Sequence, residues 1–155
     1  MKLGNRKESR MRIVLALPRP GEEDLVFILT PVESYDEFNR LCPLPEAPVL
    51  IKAGGVKEPD TENATYVGQL EAYVGLQSSY IFIESLKHTP DLAFESIDPE
   101  KPSTWGNYRQ EMLDFGLSDQ EILRILRAVQ GANSLDDGLV DEARTRYFRN
   151  LDKSG

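Results

Sequence analysis

Ser118-Asp119-Gln120-Glu121-Ile122-Leu123-Arg124-Ile125-Leu126-Arg127-Ala128-Val129-Gln130-Gly131-Ala132-Asn133 decides how the last third of the chain is read. Ser118 and Glu121 stand in capping-box spacing, so each can satisfy a backbone N–H that the first helical turn leaves open. Ile122, Leu123, Ile125, Leu126 and Val129 then recur at helical intervals, and Gly131 or Asn133 supplies a stop. Working outward, Ser103 can cap a preceding helix carrying Trp105, Tyr108, Met112 and Phe115, with Gly116 ending it. Downstream, Ser134 and Asp137 open a third helix that reaches about Asn150, with Leu139, Val140, Ala143, Tyr147 and Phe148 as its apolar positions. The C-terminal third therefore reads as a three-helix unit.

Further upstream, the pattern from about Glu62 to Lys87 is the longest helical one in the chain. Tyr66, Tyr73 and Tyr80 recur every seven residues, and Val67, Leu70, Val74 and Ile81 line the adjacent stripe. Phe82, Ile83 and Leu86 widen the apolar surface toward the end of this helix, which predicts burial there on more than one side. Gly68 and Gly75 weaken it by up to about 1 kcal/mol each relative to alanine, unless another backbone needs the space. Leu92–Ile97 reads as a short strand before Asp98-Pro99.

The N-terminal part is strand-like. Arg12–Leu17 and Asp24–Thr30 are rich in β-formers, and Pro18-Arg19-Pro20-Gly21-Glu22-Glu23 between them is turn chemistry, so a β-hairpin is expected. Ser34 can cap a short helix whose Tyr35, Phe38 and Leu41 form one stripe. Val49-Leu50-Ile51 offers a further strand, and residues 53–64, with Gly54-Gly55 and Pro59, read as a long surface loop. The fold class expected is α+β: a small N-terminal antiparallel sheet with a short helix, a long central helix, and the C-terminal three-helix unit. Residues 1–11 form a flexible basic arm and residues 12–155 a single domain, strand-rich over 12–60 and helical over 61–155. The alternatives for the arm are an untidy solvated terminus, or a chain that really starts at Met11.

Composition narrows the function classes. Among 155 residues, 40% are hydrophobic and 28% charged, the balance of a chain that builds a core. The net charge of −8, concentrated in residues 61–155, argues against nucleic acid, which needs a basic face. No apolar run is long enough for a membrane span, and Pro18 cuts short any signal-like stretch at Ile13–Leu17. With one cysteine, Cys42, no internal disulfide can form. The chain reads as soluble and made in a reducing cytoplasm.

The residues of chemistry are sparse. His88 is the single histidine, placed at a helix end in Lys87-His88-Thr89-Pro90, so no histidine pair can hold a metal. A Cys42–His88 nucleophilic pair lacks any local nucleophile turn. Gly54-Gly55 is not followed by the Lys-Ser/Thr of a phosphate loop. Aligning Gly138 with the glycine of a calcium loop puts Leu135 where an oxygen ligand is needed and Arg144 where the bidentate glutamate belongs. Asp136 and Asp137 read instead as helix N-terminal acids. No catalytic residue, metal or cofactor is expected.

What remains is surface for other proteins. Tyr66, Tyr73 and Tyr80 form an aromatic stripe that serves either core packing or a partner, since tyrosine supplies large contact area at low entropic cost. Ile122, Leu123, Ile125 and Leu126 cover more than one side of their helix, which makes Ile122 and Leu126 the second candidate face. A homo-oligomer is compatible with either.

The stretch from Phe94 to Phe148 resembles small tail-assembly proteins of bacteriophages. The residues that carry the resemblance are Phe94-Glu95-Ser96-Ile97-Asp98, Pro102-Ser103-Thr104-Trp105, Glu111-Met112-Leu113, Phe115-Gly116-Leu117-Ser118, Glu121-Ile122, Val129, Ala132-Asn133-Ser134-Leu135-Asp136, and Ala143-Arg144 leading to Phe148. The resemblance implies a tail assembly chaperone that keeps tape-measure or tube subunits soluble in the host cytoplasm until assembly. The rival expectation is a structural virion component, a connector or minor tail protein, whose arm at residues 2–12 docks on an acidic neighbour. A third is an enzyme using scattered carboxylates.

Overall fold

The computed structural model describes residues 1–6, 8–134 and 137–154. Lys7 of the basic run, and Leu135 and Asp136 ahead of the last helix, lie outside the described residues. The architecture is α+β, as the sequence predicts. Strands β1 (Ile13–Leu17) and β2 (Leu25–Leu29) pair antiparallel with Leu15 opposite Phe27. Gly21, at φ 81°, lies in the turn between them, and Asp24 Oδ1 accepts from the Arg19 N–H at 3.1 Å, so the Pro-Gly-acid chemistry acts as expected.

Helix α1 (Asp36–Leu41) follows, with Ser34 Oγ accepting from the Asp36 N–H at 3.1 Å. Strands β3 (Val49–Ile51) and β4 (Lys57–Pro59) then form a second, separate hairpin. The long loop expected over 53–64 is thus corrected. Gly54 and Gly55 take positive φ of 86° and 77°, the turn closes with the Gly55 N–H donating to Lys52 O at 3.0 Å, and the chain doubles back.

Helix α2 (Ala64–Leu86) is started by Asn63, whose side chain accepts from the Tyr66 N–H. At 1.5 Å per residue it runs about 35 Å. Its C-terminal half is buried through Tyr80, Phe82, Ser85 and Leu86, whereas Val67 and Val74 in the N-terminal half lie exposed. A Cβ on Gly68 or Gly75 would meet nothing within 4 Å, so neither glycine serves a close approach.

Two further expectations are corrected. Leu92–Ile97 forms no strand: side chains satisfy its backbone, with Glu111 accepting from the N–H groups of Glu95 and Ser96, and Asn107 donating to Ser96 O. Ser103 caps nothing. A 3₁₀ turn, Pro102–Asn107, precedes helix α3 (Tyr108–Phe115), and Thr104 Oγ1 is the hydroxyl that organises this entry, bonded to Asp98 and Lys101. Gly116 ends α3 in the left-handed region at φ 114°. Helix α4 (Asp119–Asn133) carries the capping box in full, Ser118 with Glu121. Helix α5 (Asp137–Ser154) closes the chain. Ser134 does not open it but ends α4, its hydroxyl donating to Gln130 O.

The main core lies between the β1–β2 hairpin, the second half of α2, α3 and α4. It joins Leu17, Phe27, Leu29, Phe82, Leu86, Met112, Ile122, Ile125 and Val129. Complete burial of an Ile, Leu or Phe side chain contributes about 1.5–3 kcal/mol each. A satellite aromatic cluster joins Phe38, Tyr80 and Trp105, with ring centroids 5.5–6.3 Å apart. Two polar links, one buried and one part-buried, lock the layers together. Thr89 Oγ1 accepts from the Ile28 N–H at 2.9 Å and donates to Ile28 O at 3.1 Å, standing in for a strand neighbour beside β2. Asn133, at the end of α4, donates to Ser85 Oγ on α2 at 2.8 Å and accepts from the Val32 N–H at 2.9 Å.

Candidate functional site

The two predicted faces divide between interior and surface. Tyr80 is buried, its hydroxyl donating to Ser34 O at 3.0 Å, and burial pushes its phenol up from the ordinary range. Tyr73 meets Phe38 edge-on at 5.2 Å and is half-buried, as is Tyr66 one heptad earlier. The stripe changes along α2 because Phe38 and Trp105 pack on Tyr80, Phe38 alone reaches Tyr73, and neither meets Tyr66. Ile122 is buried in the main core, and Leu126 is half-buried against it, while Leu123 beside them is partly exposed. Tyr80 and Ile122 are thus committed to the chain's own packing.

Helix α5 carries a broad apolar surface that the sequence reading did not single out. Leu139, Val140, Tyr147, Phe148 and Leu151 are each about half exposed, Tyr147 at 60%, and residues 137–153 are all exposed. At 100° per residue they fall within about half of the helix circumference. Tyr147 and Phe148 meet edge-on at 5.4 Å, and the Arg144 guanidinium lies over the Phe148 ring at 5.8 Å. Arg144, Arg146, Arg149 and Lys153 make the second half of α5 basic, with Asp152 as the acid among them.

The β3–β4 hairpin is exposed throughout, including Val49, Leu50, Ile51 and Val56. A two-stranded hairpin with neither face covered is marginal by itself.

A groove of about 490 Å³ opens between the start of β2, residues 89–95 and α3. Phe27, Leu92, Phe94, Met112 and Leu117 give it an apolar lining, and Phe115, 73% exposed, stands at its edge. Asp91, Glu95, Glu111 and Asp114 also line it, with no lysine or arginine among the described lining residues. Asp91 adopts a positive φ of 61°, uncommon for a non-glycine residue. Glu111 is fixed in place: partial burial pushes its carboxyl up, but hydrogen bonds from the Ser96 hydroxyl and the Glu95 and Ser96 N–H groups outweigh that and hold it below the usual range.

Near the other end of the hairpin, Arg10, Arg12, His88 and Thr30 surround a smaller hollow. Glu33 partly neutralises it, pairing with Arg10 at 2.6 Å and lying 3.6 Å from His88 Nε2. Lys87 foremost, then Arg10, holds the Glu33 carboxyl below its usual range. Cys42 sits elsewhere, buried in the aromatic cluster, where desolvation pushes its thiol up. The structure therefore places Cys42 and His88 in different surroundings. Among the described residues, no group of three or more His, Cys, Asp and Glu side chains is placed to hold a metal ion, and no helix is long and apolar enough to cross a membrane.

Comparisons with protein-family models, with characterised proteins and with solved structures find no match to this chain. The resemblance to phage tail-assembly proteins therefore rests on the C-terminal residues quoted above.

Proposed function

We propose that this chain is a non-enzymatic protein-binding protein whose task is to hold apolar segments of other phage proteins, as a tail assembly chaperone does. The observation that carries the reading is α5: five large apolar side chains on one side of an 18-residue helix, each about half exposed. Solvating such a face is unfavourable at roughly 25 cal/mol per Å² of apolar surface, so a partner that covers it gains that free energy. The net charge of −8 favours the solubility such a task needs.

The tape-measure and tube subunits named by the resemblance suit the chemistry, because long amphipathic helices need an apolar cover before assembly. The structural alternative, in which the arm at residues 2–12 docks on an acidic subunit, draws less support. Arg10 of that arm already pairs with Glu8 and Glu33 of its own chain.

The test is co-expression with an aggregation-prone tail subunit, using the intact chain and a Leu139→Ser/Tyr147→Ser/Phe148→Ser variant. The intact chain should raise the soluble fraction of the subunit and the variant should not. Equal solubility with both would remove α5 from the function, and no rescue by either would remove the chaperone reading.

A further inference from the structure

We infer that the acid-rimmed groove between β2, residues 89–95 and α3 is the docking site for the basic, aromatic second half of α5 from a second copy of the chain. Two surfaces of one molecule stand open, and their chemistries are complementary. The groove offers an apolar lining under Asp91, Glu95 and Asp114, while α5 offers Tyr147 and Phe148 flanked by Arg144, Arg146 and Arg149. On a chain of net charge −8, this half-helix is a local concentration of positive charge, and the groove is where negative charge meets exposed apolar surface. A single contact would cover Phe115, Tyr147 and Phe148, three of the most exposed aromatic rings, and would pair the charges around them.

No described residue of α5 lines the groove of its own chain. Leu117 lines the groove immediately before the α4 cap, whereas α5 follows the α4 C-terminus. The 15 residues of α4 put about 22 Å between these ends. Residues 137–153 of α5 are also all solvent-exposed. Docking between copies is therefore head-to-tail, a heterologous contact that closes into a ring or extends, and not a face pairing with itself.

The inference rests on α5 being a protein-binding face, and the two readings fail differently. If the chain rescues a tail subunit but does not self-associate, only the docking falls. If it self-associates through α5 but rescues nothing, only the chaperone role falls.

The test uses the full chain and two variants altered only at exposed positions, so that both keep the fold by circular dichroism: a groove variant, Asp114→Arg/Phe115→Arg, and a helix variant, Tyr147→Glu/Phe148→Glu. Sedimentation velocity should find that the unaltered chain associates as concentration rises, and less so as salt is added. Each variant alone should lose at least about tenfold in association constant, the usual consequence of removing a central aromatic anchor. Mixed in equal amounts, the two variants should form a one-to-one complex, because one keeps the helix and the other keeps the groove. A monomeric unaltered chain would overturn the inference, including the case in which α5 folds back on its own groove. So would a groove variant that associates undiminished, which would mean α5 pairing with α5, or a mixture that stays monomeric. Binding of α5 to vesicles of anionic phospholipid by a chain that remains monomeric would overturn it in favour of a membrane surface.

Discussion

Helices α4 and α5 follow one another, both amphipathic by pattern, and they end in opposite situations. Alpha4 sinks Ile122, Ile125, Val129 and Ala132 into the core, while α5 leaves Leu139, Val140, Tyr147, Phe148 and Leu151 about half in water. Alpha4 is also tied at both ends. Arg19 of the β1–β2 turn pairs with Glu121 in its first turn at 2.6 Å, and Asn133 in its last turn reaches Ser85 and Val32. A hydrophobic stripe therefore specifies that a helix has a face to cover, but not who covers it. For α4 the cover is this chain; for α5 the proposal is that it comes from another.

That contrast yields a series of measurable differences, the largest in the core. Ile125→Ala should lower unfolding free energy by about 2–5 kcal/mol in urea titrations, since Ile125 is wholly buried. Tyr147→Ala should change it by no more than about 0.5 kcal/mol in dilute solution. Comparable losses at the two positions would mean that α5 packs on the body, and the contrast would collapse.

Next in size is Asn133→Ala, which strands the Val32 N–H and removes a partner of the fully buried Ser85 hydroxyl. The expected cost is roughly 1–3 kcal/mol, again by urea titration. A neutral result would show that Asn133 does not tie α4 to α2.

The N-terminal half of α2 extends the comparison in the opposite direction. Gly68→Ala and Gly75→Ala add a methyl group in open space and should each stabilise by about 0.5–1 kcal/mol, read as a rise in melting temperature. Destabilisation at either site would reveal a neighbour pressed against that face.

The smallest effect is acid-dependent. Hydrogen bonding from Arg19, then from the Ser118 N–H, holds the Glu121 carboxyl below its usual range. A carboxyl with a depressed folded-state pKa stabilises fully above its unfolded pKa, and that contribution is lost as pH falls through the folded value. Stability should therefore fall below about pH 4.5, and Glu121→Gln should flatten part of that acid limb. The pair is partly solvated, so the change is modest. An unchanged acid limb would separate α4 from the hairpin turn.

How much of this was legible in the sequence depended on whether a local signal existed. The capping box at Ser118 and Glu121, the left-handed Gly116 and the Pro-Gly turn before β2 each act through their own few residues, and the expected elements form there. Beta4 was missed because Lys57-Glu58-Pro59 has poor strand propensity and no buried face to impose alternation; Gly54-Gly55 was the one cue. Leu92–Ile97 is a short apolar-rich run read as a strand, yet Glu111 and Asn107 take its backbone groups, and nothing local announces that. The tyrosine stripe was correctly spaced, but its burial depends on where Phe38 and Trp105 pack along α2. The groove draws on residues 25–27, 89–95 and 111–117, brought together only by the fold, so no motif could mark it. On α5 the apolar positions were visible, and their exposure was not, because a stripe looks the same whether its partner is internal or external.

The most direct measurement is amide hydrogen exchange on the unaltered chain at low and at high protein concentration, read separately for residues 122–132 and 139–151. The account predicts slow exchange in α4 at both concentrations, and protection in α5 that rises with concentration as a second copy covers its face. Alpha5 equally protected at both concentrations would mean that its own chain already covers it, and α5 exchanging fast at both would mean that the chain does not serve as its own partner.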